Sequence, residues 1–188
     1  LISISVNGKL LISILAGTKI SKFEEFFGSR THVVRVMPNV AALIGMGVAG
    51  LSSGKYATPA DEQIAQALLS SVGEVVKVRE NLLDAVTAVS GSGPAYFFYL
   101  TELLEAQARR FGLAKNQAAA LARETLTGSA ALLQKYPAAP AAWRARVTSR
   151  GGTTAAALEV LQKKKFAKIF QQALTAARLR SKELSKAL

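Results

Sequence analysis

The sequence predicts an α/β domain followed by an all-α domain. Up to residue 79, short apolar runs that suit β-strands alternate with helical segments, a spacing typical of a largely parallel sheet. After Leu82 no convincing strand follows, and residues that favour helix (Ala, Leu, Glu, Arg and Lys) dominate the chain. We therefore place the domain boundary near residue 80, which divides the 188 residues into 1–80 and 81–188.

The first element has two interpretations. Apolar runs at 1–6 and 9–15 flank Asn7-Gly8, which is a strong signal for a β-hairpin. The alternative is a helix end, a turn at Gly8 and one buried strand from Leu10 to Leu15. Local chemistry favours the hairpin.

Capping and turn residues mark the elements that follow. Ser21 and Glu24 form a predicted capping box before a short helix, 22–27, which ends at Gly28. Thr58 begins a later helix that is predicted to end at Gly73. Predicted strands cover 32–37, 47–51 and 74–79, and predicted helices of the second domain lie near 82–90, 94–111, 115–135, 140–147, 153–163 and 165–186.

Composition excludes several kinds of site. The chain has no cysteine, which excludes disulfides, thiolate catalysis and cysteine metal sites. His32 is the single histidine, which argues against the common zinc sites and a histidine base, so we predict no metal. No stretch approaches 18 consecutive apolar residues, and the first residues lack the features of a signal peptide. We expect a cytoplasmic protein without a membrane span.

The positive charge is concentrated at the end of the chain. The net charge is +12, and residues 135–188 carry 12 Lys and Arg against 2 Asp and Glu, whereas residues 1–134 carry 12 against 10. Such a block attracts phosphates, nucleic acid or acidic lipid, and it is also typical of a solvated helical face. Because no recognised nucleic-acid-binding motif accompanies this basic block, we expect no nucleic-acid partner.

One predicted helix is too apolar to stand alone. From Tyr96 to Leu104 it is apolar almost all round, so it needs cover on all sides. A domain of about 110 residues offers limited cover. We therefore expect a homodimer through the helical domain.

Three segments carry candidate chemistry. Residues 147–154 (VTSRGGTT) place hydroxyls and glycines before a helical run, where free N–H groups and the helix dipole favour an anion, although an ordinary helix–helix turn has the same pattern. Thr87 is a rare polar group on an apolar helix that leads into the SGSGP break at 90–94, although its hydroxyl can also bond to its own helix. Residues 35–39 (RVMPN) leave the sheet at a proline, where open α/β sheets bind ligands.

The order of these segments resembles that of the pyrroline-5-carboxylate reductases, and the resemblance covers nearly the whole chain. It implies a truncated Rossmann-like sheet at 1–80 and a helical dimerisation and substrate-binding domain at 81–188, and it favours the single strand in the first segment. It also implies NADPH- or NADH-dependent reduction of an imino acid, 1-pyrroline-5-carboxylate, to L-proline by a homodimer or a higher oligomer. The other matching segments are SILAG (13–17), LLSSVGEVVKV (68–78), DAVTAVSGSGPAY (84–96), FGL (111–113) and AAALEVL (155–161).

The resemblance further implies the site residues. Thr87, of the same or a neighbouring subunit, would be the catalytic residue and hydrogen-bond near the ring nitrogen. A protonated imine accepts hydride without a strong base, so positioning and the cofactor carry the chemistry. The substrate carboxylate would be bound by Ser149, Gly151, Gly152, Thr153 and Thr154, and the cofactor site would be lined by Ala16, Gly17, Met37, Pro38 and Asn39.

Three departures from the family pattern qualify this interpretation. We expect no GxGxxG dinucleotide fingerprint in the chain, and an impaired activity if nothing precedes residue 1. Arg150 stands where the family usually has proline, and the tract 163–165 (KKK) stands where the family usually has a glycine-containing turn, which leaves an extension of the helix open. The alternatives are a non-catalytic helical assembly module derived from this enzyme, and a related imine or hydroxyacid reductase.

Overall fold

The first part of the protein is a four-stranded sheet. The structure is a computed structural model that describes residues 8–28 and 30–187. The strands β1 (Leu10–Ser13), β2 (His32–Met37), β3 (Gly47–Ser53) and β4 (Gly73–Lys77) lie in the order β1-β2-β3-β4. β1 with β2 and β3 with β4 are parallel, whereas β2 with β3 is antiparallel.

Helices make up most of the remaining described chain, which confirms the predicted class of α/β followed by all-α. Within the described ranges, no helix is long and apolar enough to cross a membrane. The helices are α1 (Ile20–Phe27), α2 (Pro59–Ser70), α3 (Leu83–Val86), α4 (Gly93–Arg110), α5 (Lys115–Lys135), α6 (Pro140–Arg146), α7 (Thr153–Lys163) and α8 (Phe166–Ala187).

The pairing of β1 favours the single-strand interpretation of the first segment. β1 runs parallel to β2, with Leu10 opposite His32. A parallel neighbour needs a crossover connection, which α1 supplies here. The other arm of the predicted hairpin, residues 1–6, and Asn7 lie outside the described residues.

α1 begins earlier than predicted, and the predicted capping box is wrong. The N-cap residue is Lys19, which makes no side-chain capping bond, so Ser21 and Glu24 lie inside the helix. Instead, the Ile20 N–H donates to the carboxylate of Glu80 at 2.7 Å. A partner 60 residues away thus replaces the local cap.

α2 has the predicted beginning and a different end. Thr58 caps it, because the Asp61 N–H donates to the Thr58 hydroxyl and the Thr58 N–H donates to the Asp61 carboxylate. The C-cap residue is Ser71, and Gly73 opens β4 instead of capping the helix. A side chain at Gly73 would overlap the carbonyl oxygen of Gly47, so the sheet contact requires glycine there.

The lysine tract does not extend α7, which has the predicted bounds, 153–163. α7 ends at Lys163, and Lys164 is its C-cap residue. Lys165 has φ 55, in the left-handed region that ends helices. Lysine therefore adopts here the left-handed conformation that glycine usually adopts at the end of a helix.

The letters GxGxxG do occur in the sequence, contrary to expectation, at residues 45–50. Gly45 ends a short 3₁₀ turn with φ 71, whereas Gly47 and Gly50 lie in β3. A Cβ at Gly50 would lie 2.8 Å from the Val86 side chain, so this glycine permits close packing. A dinucleotide fingerprint follows a strand and opens a helix, and this segment does neither.

The middle strands carry the core of the sheet. Val34 and Val36 of β2 and Ala49 and Leu51 of β3 are buried, and Ala65 of α2 covers them. The edge strand β4 is more exposed, with Val76 at 47%.

Contacts between residues divide the chain into two units. The first comprises the chain up to Pro94 together with the end of α8 from Ala173, and the second runs from Ala95 to Gln172. This division is one of contacts in the folded chain. The domain boundary near residue 80, drawn from local sequence patterns, stays a prediction.

Candidate active site

Two loops that we predicted to line a cofactor site leave the sheet at the same edge. β1 and β2 are parallel neighbours in matching register, so their carboxyl ends lie side by side. The loop with Ala16 and Gly17 follows β1, and the segment with Pro38 and Asn39 follows β2. Ligands of open α/β sheets bind outside the carboxyl ends of strands.

Most of these residues shape the loops and contribute no charge. Ala16 is exposed, Gly17 is buried with φ 79, and Met37 is half-buried at the end of β2. The Asn39 side-chain oxygen accepts a hydrogen bond from the Val48 N–H at 3.2 Å, which holds the turn between β2 and β3. The edge therefore offers mainly backbone and apolar atoms to a ligand.

Thr18 belongs to this edge, although sequence reasoning missed it. Its side chain is 8% exposed, and its hydroxyl has no hydrogen-bond partner among the described residues. A buried hydroxyl without a partner is uncommon in folded proteins. The available sequence signal was a hydroxyl residue directly after Ala16-Gly17.

An ion pair with a buried cation connects β2 to the start of α1. The guanidinium of Arg35, from the RVMPN segment, is buried in β2 and lies 3.2 Å from the Glu80 carboxylate. The same carboxylate oxygen accepts the Ile20 N–H at the start of α1. Glu80 thereby joins the helix that follows Gly17 to the strand that ends at Met37.

Thr87 lies where α3 passes into a π-helical turn. The Ser92 N–H donates to the Thr87 carbonyl oxygen at 2.8 Å, five residues apart. Such turns are frequent at functional sites. The half-buried Thr87 hydroxyl donates to the Leu83 carbonyl at 2.8 Å, since a carbonyl oxygen can only accept. The lone pairs of the hydroxyl oxygen therefore remain available to accept a hydrogen bond from a ligand.

Gly91 brings the Thr87 turn and the end of β2 together. A Cβ at Gly91 would lie 2.7 Å from the terminal methyl of Met37 and 3.8 Å from Cγ2 of Thr87. Close packing thus explains glycine at this position, whereas nothing lies within 4 Å of such an atom at Gly93. Gly91 therefore lies close both to Met37, a predicted cofactor residue, and to Thr87, the predicted catalytic residue.

The glycine-rich segment forms a tight turn at the start of α7. Gly151 has φ 71, and the Gly152 N–H donates to the Ser149 carbonyl at 3.1 Å. Gly152 is the N-cap residue, and no side chain caps α7 in the described chain. A side chain at Gly152 would overlap the Ser149 hydroxyl. Thr153 and Thr154 are the first two residues of the helix.

This turn has the components of an anion site. The first N–H groups of α7 lack a side-chain acceptor, and the positive end of the helix dipole favours negative charge. Thr154 is half-buried, while Thr153 and Arg150 are exposed. The turn lies in the second contact unit and Thr87 in the first.

Comparisons with known proteins assign the chain to a family. Residues 80–184 match the family model described as pyrroline-5-carboxylate reductase dimerisation. The chain is 39% identical to pyrroline-5-carboxylate reductase 1 of Bacillus spizizenii over 177 residues, covering 94% of this chain and 60% of that protein. It is 42% identical to the pyrroline-5-carboxylate reductase of Mycobacterium tuberculosis over 193 residues, covering 94% of this chain and 65% of that protein. The chain therefore spans less than two thirds of the length of these relatives.

Solved structures show the same fold. Plasmodium falciparum pyrroline carboxylate reductase with NADP bound has a TM-score of 0.88 at 33% identity, covering 96% of this chain and 73% of that chain. A Coxiella burnetii pyrroline-5-carboxylate reductase has a TM-score of 0.88 at 35% identity, covering 94% of this chain and 66% of that chain. With the family model matching more than half of its residues, the chain belongs to the pyrroline-5-carboxylate reductase family.

Proposed function

We propose that the protein transfers a hydride from NADPH or NADH to the C=N carbon of 1-pyrroline-5-carboxylate and so forms L-proline. Relatives with 39% and 42% identity carry the name of this reductase, and a similar solved structure holds NADP. The structural observation that carries the proposal is the Thr87 hydroxyl. Its proton is engaged by the Leu83 carbonyl, so its oxygen is free to accept from a protonated imine N–H.

The sheet edge fits the nicotinamide end of the cofactor. Backbone and apolar atoms suit a flat ring, and the unpartnered Thr18 hydroxyl supplies one polar group there. When bound, the cofactor supplies the hydride. The residues that would hold it are Ala16, Gly17, Met37, Pro38 and Asn39.

The turn before α7 would bind the substrate carboxylate. Ser149, Thr153 and Thr154 would donate from their hydroxyls, and Gly151 and Gly152 would let the carboxylate approach the backbone. Thr87, of the same chain or of a partner copy, would accept from the imine N–H. The cationic imine needs no strong protein base, so these contacts act mainly by positioning.

A homodimer through the helical unit completes the proposal. Phe97, Phe98 and Tyr99 on α4 are each more than half exposed, at 56%, 62% and 59%. Apolar residues repeated along one helix need cover, and the matched family model describes dimerisation. Light scattering that shows a monomer at micromolar concentration, with the helices intact by circular dichroism, would contradict the dimer.

An absorbance assay tests the activity. Oxidation of NADPH should depend on pyrroline-5-carboxylate and should stop when this substrate is left out. The second candidate, a non-catalytic helical assembly module, is favoured by the exposed apolar side chains of α4. It predicts a dimer that neither oxidises NADPH nor changes the fluorescence of NADPH on titration.

A further inference from the structure

We propose that Ser181 is a positioning residue and that the last turns of α8 hold the Thr87 segment and the Gly17 loop in place. The inference rests on the proposed function, because it concerns two segments that must stand correctly during hydride transfer. Ser181 acts through Asp84 and Leu83, and α8 acts through its packing on Gly17.

The first contact is a hydrogen bond between distant parts of the chain. Ser181 is 3% exposed, and its hydroxyl donates to the Asp84 carboxylate at 2.6 Å, 97 residues away. A hydroxyl–carboxylate bond of this length is charge-assisted and strong. Serine in a helix commonly bonds back to its own helix, as Ser185 does to the Ser181 carbonyl at 3.2 Å. Ser181 instead fastens α8 to α3.

Asp84 lies within one helical turn of Thr87. Its neighbour Leu83 is fully buried and provides the carbonyl that accepts the Thr87 hydroxyl. Because Asp84 and Leu83 are adjacent on α3, a bond that fixes Asp84 also fixes the carbonyl that orients Thr87. Two hydrogen bonds thus connect Ser181 to Thr87: one from Ser181 to Asp84, and one from Thr87 to Leu83, the neighbour of Asp84.

The second contact is between main chains. Gly17 has φ 79, and a Cβ there would lie 2.9 Å from the Leu184 Cβ and 3.1 Å from the Ser185 nitrogen. The loop therefore lies directly on α8, with no room for a side chain. Since Ser181 and Ser185 are one turn apart, a single rigid helix end contacts both the loop and the Thr87 segment.

This arrangement makes the rate sensitive to α8. Hydride transfer needs reacting atoms at near contact, and a misplacement of about 1 Å can cost on the order of a hundredfold in rate. Loss of the Ser181–Asp84 bond frees the helix end from α3. We expect kcat to fall more than the affinity for substrate, because the carboxylate turn before α7 belongs to the other contact unit.

Substitutions at both ends of the bond test the proposal. Ser181→Ala should lower kcat about tenfold or more and raise the deuterium isotope effect measured with deuterated NADPH, since hydride transfer becomes slower. Asp84→Ala should act alike, and the double variant should be no worse than either single variant. Asp84→Asn keeps an acceptor oxygen and should retain most of the rate. Ser71→Ala, which removes an exposed hydroxyl at the end of α2, is the matched control.

Amide hydrogen exchange gives a readout that does not need activity. Ser181→Ala should speed exchange at residues 14–19 and 87–91 about tenfold and leave β2 and β3 unchanged. Unchanged exchange in these segments overturns the proposal, as does an active Ser181→Ala variant with the wild-type kcat and isotope effect. A wild-type protein without reductase activity contradicts the proposed function instead, and exchange alone then decides whether α8 positions the two segments.

Discussion

Arg35 and Glu80 form an ion pair where the sheet meets α1, with 3.2 Å between Nη1 and Oε1. The side chain of Arg35 is 6% exposed and that of Glu80 is 34% exposed, so the cation is buried while the anion keeps some contact with water. The same Glu80 oxygen accepts the Ile20 N–H. Removal of this carboxylate would leave two donors without their acceptor.

We predict that Glu80→Ala lowers the free energy of unfolding by about 2–4 kcal/mol. Breaking a buried pair leaves an unpaired charge, and the partial exposure of Glu80 reduces that cost. Glu80→Gln keeps an acceptor oxygen and should cost less. Urea unfolding measures both variants, and a loss below about 0.5 kcal/mol for Glu80→Ala, the range of ordinary surface substitutions, would contradict the prediction.

The carboxylate of Asp61 makes stability depend on pH. Its pKa lies below the ordinary value of 3.8, chiefly because the Thr58 hydroxyl and N–H donate to it. Burial opposes this, and His32, at 2.9 Å, adds to it. A depressed pKa in the folded state stabilises the protein above the ordinary pKa, and this stabilisation is lost as the pH falls through the folded value.

We predict that the free energy of unfolding varies less with pH in Asp61→Asn than in the wild type. The wild type should be the more stable protein above about pH 5, and the difference should shrink as the pH falls below about 4. Glu25→Gln, which alters an exposed carboxylate on α1, is the control and should follow the wild-type profile. Chemical unfolding at several pH values measures the difference, and a constant difference down to pH 2 would argue against the assigned role of Asp61.

Lys165 carries backbone strain that glycine would relieve. It has φ 55, a conformation that costs an L-residue roughly 1 kcal/mol. Lys165→Gly should raise the free energy of unfolding by about 0.5–1 kcal/mol, whereas Lys164→Gly, at φ −80, should lower it by a similar amount. Thermal unfolding of the pair of variants measures this. Equal midpoints of thermal unfolding for the two variants would show that Lys165 carries no backbone strain.

Local signals explain what could be predicted of the fold. β2 lies at the predicted residues, 32–37, because apolar residues and Pro38 define it locally. The Thr58 cap was predictable because both partners lie within four residues. The Ser21–Glu24 box failed because Glu80, distant in sequence, satisfies the start of α1.

The same distinction holds for the candidate site. Motifs led us to predict Thr87 and the turn at 149–154 as site residues, since each is a compact segment with unusual residues, and both stay predictions. Thr18, Glu80 and Ser181 were missed because their surroundings come from distant parts of the chain. A single sequence does not report which segments meet.

Thr87 offers a direct test of the proposed imine contact. Thr87→Val keeps the branched shape and removes the hydroxyl, so kcat/KM should fall about 10- to 100-fold, the value of one strong hydrogen bond to a charged group. Thr87→Ser keeps the hydroxyl and should stay within about threefold of the wild type. Steady-state kinetics measures the two, with circular dichroism to verify folding. A Val variant as active as the Ser variant would remove Thr87 from the reaction.

The turn before α7 gives a test that needs only binding. Gly152 has φ −80 and ψ 174, which alanine adopts without strain, so Gly152→Ala acts through space alone. The new Cβ would overlap the Ser149 hydroxyl and force it to rotate away from the helix start. If that hydroxyl binds the carboxylate, Ser149→Ala should cause the same loss.

We predict that Gly152→Ala weakens proline binding about tenfold, and that Ser149→Ala weakens it equally, because each removes one charge-assisted hydrogen bond worth roughly 1.5 kcal/mol. The double variant should be no weaker than either single variant, since the second change acts on a bond already lost. Thr154→Ala removes a different hydroxyl. Combined with Ser149→Ala, it should therefore weaken proline binding further than Ser149→Ala alone. Calorimetric titration with proline measures all five variants, and additive losses for Gly152→Ala and Ser149→Ala would show that the glycine acts on the turn by another route.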